Sequence, residues 1–158
     1  MALNRGKEFE KLIQDSCSLQ NIDCTRLKDA GYTGEQTTRR FTITNICDFI
    51  IFDGHTLLKL EAKHTQGKNI PLTRLKQLTR LITASQTTLG NVRQGFIMRF
   101  DDNIYYIHAE DLDKLVSTTT KKSLNEGEIS ANGLQVLEYV PKGKRNARID
   151  IKEMMQLL

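Results

Sequence analysis

Hydrophobic positions along this chain follow two periods. From Arg5 to Leu19 the apolar side chains Phe9, Leu12, Ile13 and Cys17 recur at helical spacing, which predicts a first helix over residues 5–19. Between Ile46 and Lys63 the period changes. Two apolar runs, Ile46-Cys47-Asp48-Phe49-Ile50-Ile51-Phe52 and Leu57-Leu58-Lys59-Leu60-Glu61-Ala62-Lys63, flank Asp53-Gly54-His55, and Asp-Gly between such runs signals a β-hairpin. With a two-residue turn at Asp53 and Gly54, Phe52 faces His55, Phe49 faces Leu58, Cys47 faces Leu60 and Asp48 faces Lys59. Parity gives one face to Cys47, Phe49, Ile51, Leu58, Leu60 and Ala62, an apolar surface for helices to cover. The other face receives Asp48, Lys59, Glu61 and Lys63.

The remaining elements are read in the same way. Ile22 to Leu27 is a short strand, and Lys28 to Asn45 is polar with little to bury. After a polar loop from His64 to Asn69, a helix runs from about Thr73 to Ser85, with Thr73 as its N-cap and Leu75, Leu78, Leu81 and Ile82 as its buried stripe. Gly95 to Phe100 and Ile104 to His108 form a second hairpin around Asp101-Asp102-Asn103, which extends the sheet. Ala109 to Val116 is a short helix opening on acidic residues, Leu134 to Val140 a last strand, and Ile149 to Leu158 a terminal helix. These elements predict a mixed α/β fold in a single domain over residues 1–158, with a central mixed sheet flanked by helices.

The polar face of the first hairpin carries the chemistry. Two carboxylates beside an ammonium on one sheet face repel unless solvent, a cation or a substrate compensates them. A divalent cation between Asp48 and Glu61 resolves the repulsion. Hard oxygen ligands suit Mg²⁺, with Mn²⁺ as the alternative ion; Mg²⁺ takes one or two protein carboxylates and keeps waters, leaving room for phosphate oxygens. Lys63, two residues beyond Glu61, points the same way. Such a set activates water and neutralises charge on a phosphodiester during in-line displacement.

The residues spell Asp-(x12)-Glu-Ala-Lys, a pattern that resembles the PD-(D/E)xK nuclease superfamily. Asn4-Arg5-Gly6-Lys7-Glu8-Phe9-Glu10, Asn45-Ile46-Cys47-Asp48-Phe49-Ile50 and Glu61-Ala62-Lys63-His64-Thr65-Gln66-Gly67-Lys68 together resemble RecU-type Holliday junction resolvases, including versions carried by phages of Gram-positive hosts. The resemblance covers roughly residues 4–108, and Cys47 stands where the superfamily name has proline. It implies a restriction-endonuclease-like fold and a Mg²⁺-dependent endonuclease that resolves four-way DNA junctions by paired phosphodiester hydrolysis. It places Asp48, Glu61 and Ala62 at the metal and Lys63 in catalysis. Glu10, with Glu8 as its rival, is the candidate third carboxylate, and Gln77 the orienting glutamine on the helix after the ExK strand. It implies a homodimer as well, and a short stalk or DNA-contacting loop over residues 29–45.

Composition narrows the partners. Net charge is +4 with a pI near 9.0, which permits a polyanion, and the distribution of charge shows where it would bind. Pro141 to Arg148 packs four basic residues into eight positions without an acid, so Lys142, Lys144 and Arg145 read as a patch for the DNA backbone. Arg39 and Arg40, where the resemblance puts a stalk, are candidate phosphate contacts; the resemblance adds Arg5, Lys121 and Lys122, and Lys68, Arg74 and Lys76 are further basic candidates. Cys17, Cys24 and Cys47, without a CxxC pair, read as plain buried or half-buried thiols. His55, His64 and His108 are too scattered for a metal cluster. No apolar run approaches the roughly 20 residues of a membrane span, and the first residues lack the apolar core of a signal peptide. The expectation is a cytoplasmic protein of a bacterial or phage-infected cell, with no small-molecule cofactor. Two other readings stay open: a nuclease of this fold acting on another DNA structure, and a DNA-binding protein without catalysis. For a dimer interface, Ile104 and Tyr106, or Met154, Met155 and Leu158, are the surplus apolar surfaces.

Overall fold

The computed structural model describes residues 4–27, 45–85 and 89–158. In chain order these form α1 (Arg5–Leu19), β1 (Asp23–Arg26), β2 (Phe49–Phe52), β3 (Leu57–Thr65), β4 (Asn69–Pro71), a 3₁₀ turn (Leu72–Arg74) and α2 (Leu78–Ser85). They continue with β5 (Val92–Phe100), β6 (Asn103–His108), α3 (Ala109–Thr118), β7 (Ser123–Asn125), α4 (Glu126–Asn132), β8 (Leu134–Val136), β9 (Glu138–Tyr139), β10 (Arg148–Ile149) and α5 (Ile151–Gln156). Six strands make one sheet in the order β1-β2-β3-β5-β6-β8. Every neighbouring pair is antiparallel except β3 and β5, whose parallel ladder runs the whole length of both strands and needs the crossover through α2 that parallel pairing demands. The expected mixed sheet flanked by helices is therefore the observed fold.

Both faces of the sheet are covered. Phe49, Ile51, Leu58 and Leu60 pack with Phe9, Ile13 and Cys17 of α1 and with Ile151, Met154 and Met155 of α5. Phe96, Met98, Phe100, Tyr105 and Ile107 pack on the other side with Leu78 and Leu81 of α2, Leu112 of α3 and Ile129 of α4. Phe49 is fully buried, and its truncation to alanine costs about 3–5 kcal/mol. Asn4 caps α1 by accepting the Lys7 N–H at 3.3 Å, and the helix ends at Leu19, ahead of Asn21 with φ +55°.

The register of the first hairpin differs from expectation. Phe52 pairs with Leu57, Ile51 with Leu58, Ile50 with Lys59 and Phe49 with Leu60, so the loop is Asp53 to Thr56 rather than Asp53-Gly54 alone. The cause is local: one carboxylate oxygen of Asp53 accepts the N–H groups of His55 at 2.9 Å and Thr56 at 2.8 Å, and Gly54 adopts φ +99°. The pairing has moved by two residues, so the strand residues keep their predicted faces. Cys47 does not. It precedes β2 and packs with the α2-side cluster, its thiol donating to the Phe49 carbonyl at 3.3 Å, because strict alternation does not extend beyond the paired strand.

Other corrections follow from packing. Thr73 is not an N-cap: it lies inside the 3₁₀ turn that follows the extended Pro71, and α2 begins only at Leu78. The last predicted strand divides into β8 and β9, β9 pairing with β10 in a sheet of its own. Ile104, Tyr106, Met154 and Met155 are at most 2% exposed, so they belong to the core and offer no dimer surface. Neighbouring elements cover them, β8 along β6 and α1 against α5. The free thiols are as expected, Cys17 and Cys47 buried and Cys24 half-buried. Arg39, Arg40 and nearly all of the 29–45 stretch lie outside the described residues.

Candidate active site

Strand β3 supplies the centre of the site. Lys59, Glu61 and Lys63 alternate along it on the α2 side, and Glu61 is 1% exposed. Asp48 arrives from the residue before β2. Its N–H donates to the Leu60 carbonyl at 3.1 Å, and its carboxylate accepts the N–H of Ala62 at 2.9 Å. Where β2 stops pairing, the Asp48 side chain thus takes the place of a strand carbonyl and satisfies an amide that would otherwise lose its partner. This fixes the carboxylate against β3, near enough to Glu61 for its charge to act on that carboxyl. Asp48 does not face Lys59, as a two-residue turn required; the shifted register brings it alongside Glu61 instead.

Two more elements complete the cluster. Lys63 Nζ lies 2.5 Å from Glu61 Oε1 and 3.4 Å from Gln77 Oε1, Gln77 standing immediately before α2. Glu10, on α1, feels the charges of both Asp48 and Lys63 and forms an ion pair with Arg26 of β1. The structure therefore gathers Glu10, Asp48, Glu61, Ala62, Lys63 and Gln77. Glu8, the rival of Glu10, is exposed and faces a different hollow, beside Arg5 and Arg99.

Burial sets the electrostatics. Loss of water pushes the Glu61 carboxyl up to about 7, the neighbouring Asp48 charge adds to the rise, and Lys63 only partly opposes it. Glu10 is raised too, first by burial and then, against the pull of Arg26, by Asp48. Burial, with Glu61 and Asp48 next, pushes the Cys47 thiol up to about 11, which leaves it an inert neutral group. Among the described residues, no group of three or more His, Cys, Asp or Glu is arranged to hold a metal ion. Two adjacent carboxylates sharing excess negative charge nevertheless suit Mg²⁺, which needs no more than that from protein.

The remaining basic candidates among the described residues all lie at the surface. Arg5, Arg74, Lys68 and Lys76 are exposed; Arg5 opens α1 and Arg74 ends the 3₁₀ turn, both beside His64. Lys121 is tied to Glu128 at 2.8 Å, and Lys122 is exposed. Lys142, Lys144 and Arg145 are exposed on the loop that leaves β9, turning at Gly143 with φ +77°. Sequence reasoning missed Arg26, the partner of Glu10, and also the company of His64, half-buried with its proton affinity lowered by burial and by Arg99, Arg5 and Arg74. The only sequence signal for that grouping was the position of His64 directly after the Glu-Ala-Lys triplet.

Comparisons with known proteins bear on the fold. No protein-family model matches the chain, and no curated protein matches it. Among solved structures it is similar to that of Hjc, a Holliday junction resolvase from the archaeal hyperthermophile Archaeoglobus fulgidus, with a TM-score of 0.58 and 16% identity, over 82% of this chain and 95% of the other. The chain has the restriction-endonuclease-like fold of that resolvase. No helix among the described residues is long and apolar enough to cross a membrane.

Proposed function

We propose that this protein is a divalent-cation-dependent endonuclease of the RecU type that cuts branched DNA, four-way junctions foremost. The observation that carries the reading is the Asp48 carboxylate pinned on the Ala62 N–H next to the buried Glu61, with Lys63 and Gln77 on the same side. A fold gains nothing from burying one acid against another, and a cation relieves the cost. Asp48 and Glu61, with the main chain of Ala62, would hold Mg²⁺ or Mn²⁺, and Glu10 is the third acid within electrostatic reach. When bound, the ion supplies Lewis-acid charge and an activated water.

The chain's own groups do the rest. Lys63 brings a positive charge to the phosphate oxygens as they become more negative, and its contact with Gln77 holds the ammonium in place between carboxylate and substrate. Arg5, Arg74, Lys76 and the 141–148 loop contribute attraction for the backbone, a salt-dependent and sequence-independent contribution. Junction preference draws its support from the opening and hairpin motifs, and from the similarity of this fold to a protein described as a Holliday junction resolvase. Paired nicks on a two-fold substrate call for two copies of this site, hence a homodimer. Incubation with four-way, linear duplex and single-stranded DNA, in Mg²⁺ and in EDTA, tests the reading. Mg²⁺-dependent paired nicks in the junction are the expected result; equal cutting of all three substrates rejects junction preference, and binding without any cleavage rejects the nuclease.

A further inference from the structure

Three cations outside the carboxylate cluster converge on the α1 side of β3. Arg5 begins α1, Arg74 ends the 3₁₀ turn, and Arg99 sits opposite His64 in the parallel ladder of β3 and β5. Arg5 and His64 together wall two neighbouring hollows. One, of about 480 Å³, reaches to Asn69 and Arg74; the other, of about 250 Å³, reaches to Glu8, Arg99 and Asp101. Of the acids here, Asp101 accepts the Gly67 N–H at 3.0 Å, Glu138 lies 3.4 Å from Arg99, and Glu8 stands exposed on the wall of the second hollow. Among the described residues, neither Arg5 nor Arg74 has a carboxylate in ion-pair contact.

Arg99 is held in place. Its Nε donates to the Asp101 carbonyl at 3.3 Å, Glu138 grips its Nη2, and its guanidinium lies 6.0 Å above the centre of the Phe9 ring. A guanidinium fixed in this way is pre-ordered for the oxygens of a phosphate. The donors are spread along an open cleft rather than closed around one point, which suits a row of phosphates better than a single free anion. His64 is three residues beyond Glu61 on an extended strand, roughly 10 Å. That is about three nucleotide steps at roughly 3.4 Å of helix axis each.

Building on the nuclease reading, we propose that Arg5, His64, Arg74 and Arg99 bind the sugar–phosphate backbone of the substrate DNA a few nucleotides from the scissile bond. His64 faces away from Lys63, so the backbone passes over the C-terminal end of β3 between cleft and cutting site. The basic loop over 141–148 begins three residues after Glu138, the partner of Arg99.

Arg74→Gln and Arg99→Gln proteins, with Lys152→Gln as an exposed control outside the cleft, test this. Affinity for a four-way junction in EDTA is measured against salt, and a series of junctions carrying one neutral methylphosphonate each locates the contact. The expected result is a salt slope about one smaller for each cleft variant than for the control, the loss of roughly one phosphate contact. A methylphosphonate a few nucleotides from the cut should weaken the wild type and leave Arg74→Gln no weaker than it already is. Slopes equal to that of Lys152→Gln, in a preparation whose wild type cuts junctions, overturn the cleft and spare the nuclease. Reduced slopes in a protein that cuts nothing sustain the cleft and remove the nuclease. Saturation by millimolar inorganic phosphate, with DNA affinity untouched by the substitutions, makes this a free-anion site and also overturns the proposal. Arg99 packs on Phe9, so thermal melting accompanies its variant; Arg74 is exposed, and its substitution reads out binding without that complication.

Discussion

Two Lys–Glu pairs in this molecule are chemically alike and electrostatically opposite. Lys63 meets Glu61 at 2.5 Å, and Lys121 meets Glu128 at 2.8 Å. Glu128 stands near solvent, where the N–H of Asn125 and then Lys121 hold its carboxyl below the usual range. It also completes the capping box of α4, with Asn125 and Glu128 each bonding the other's N–H at 2.8 Å. Glu61 touches its lysine just as closely, yet its carboxyl is pushed up to about 7. The partner is therefore not decisive. Removal from water beside a second acid is, and a carboxylate shifted in this way marks a candidate functional site.

The comparison breaks most visibly at Asp48 and Glu61. Asp48→Asn or Glu61→Gln is expected to lower junction cleavage by about three orders of magnitude, since a metal's charge stabilisation amounts to several kcal/mol. DNA binding should persist or tighten, because each change removes negative charge beside a phosphate. A gel-shift and a nicking assay on the same protein read both, and near wild-type turnover in either variant ends the proposed mechanism.

Lys63→Met is expected to cut about a hundredfold more slowly, as loss of one charge-stabilising group does elsewhere. It should also raise the Glu61 carboxyl further, because the ammonium is what opposes the rise. Infrared or NMR titration of the metal-free protein, compared with wild type, measures that shift.

Stability against pH comes next. The Glu61 carboxyl is raised in the folded protein, so the folded state holds a proton that the unfolded chain releases above its ordinary value near 4.5. The stabilisation from this group is complete below about 4.5 and is lost as pH rises through about 7, a few kcal/mol at most. Metal-free melting curves should show this fall, and Glu61→Gln should flatten it. Added Mg²⁺ should restore stability more effectively at pH 8 than at pH 6, because the proposed site would take it only with the pair deprotonated. The smallest effect is expected at the other pair: Glu128→Gln keeps the capping geometry, so cleavage and melting temperature near neutral pH should stay at the wild-type values.

The hairpin and its faces were legible because a strand's period is two and Phe49, Ile51, Leu58 and Leu60 obey it. The register was not, because pairings two residues apart bury the same side chains; the Asp53 carboxylate decides between them by collecting two loop amides. Helix α4 could have been found from Asn125 and Glu128, three residues apart, whereas β4 and β7 are three-residue strands that only pairing with each other makes visible. Ile104 and Tyr106 looked like surplus apolar surface because nothing local announces that β8 will lie beside β6. The grouping of Arg5, His64, Arg74 and Arg99 was out of reach for the same reason, since a helix start, a 3₁₀ turn and two parallel strands bring together residues scattered over most of the chain.

The four-residue loop from Asp53 to Thr56 also sets what change this lineage tolerates. Insertions or deletions of two residues there leave Phe49 in the core and Glu61 pointing at the site, since the strands re-pair on the same faces. A single-residue change would turn one strand over, exposing Leu58 and Leu60 and carrying Glu61 away from Asp48, unless a bulge absorbed it. Length variation in this loop should accordingly run in even steps among descendants that keep Asp48 beside Glu61, and an odd step should coincide with a bulge in β2 or β3.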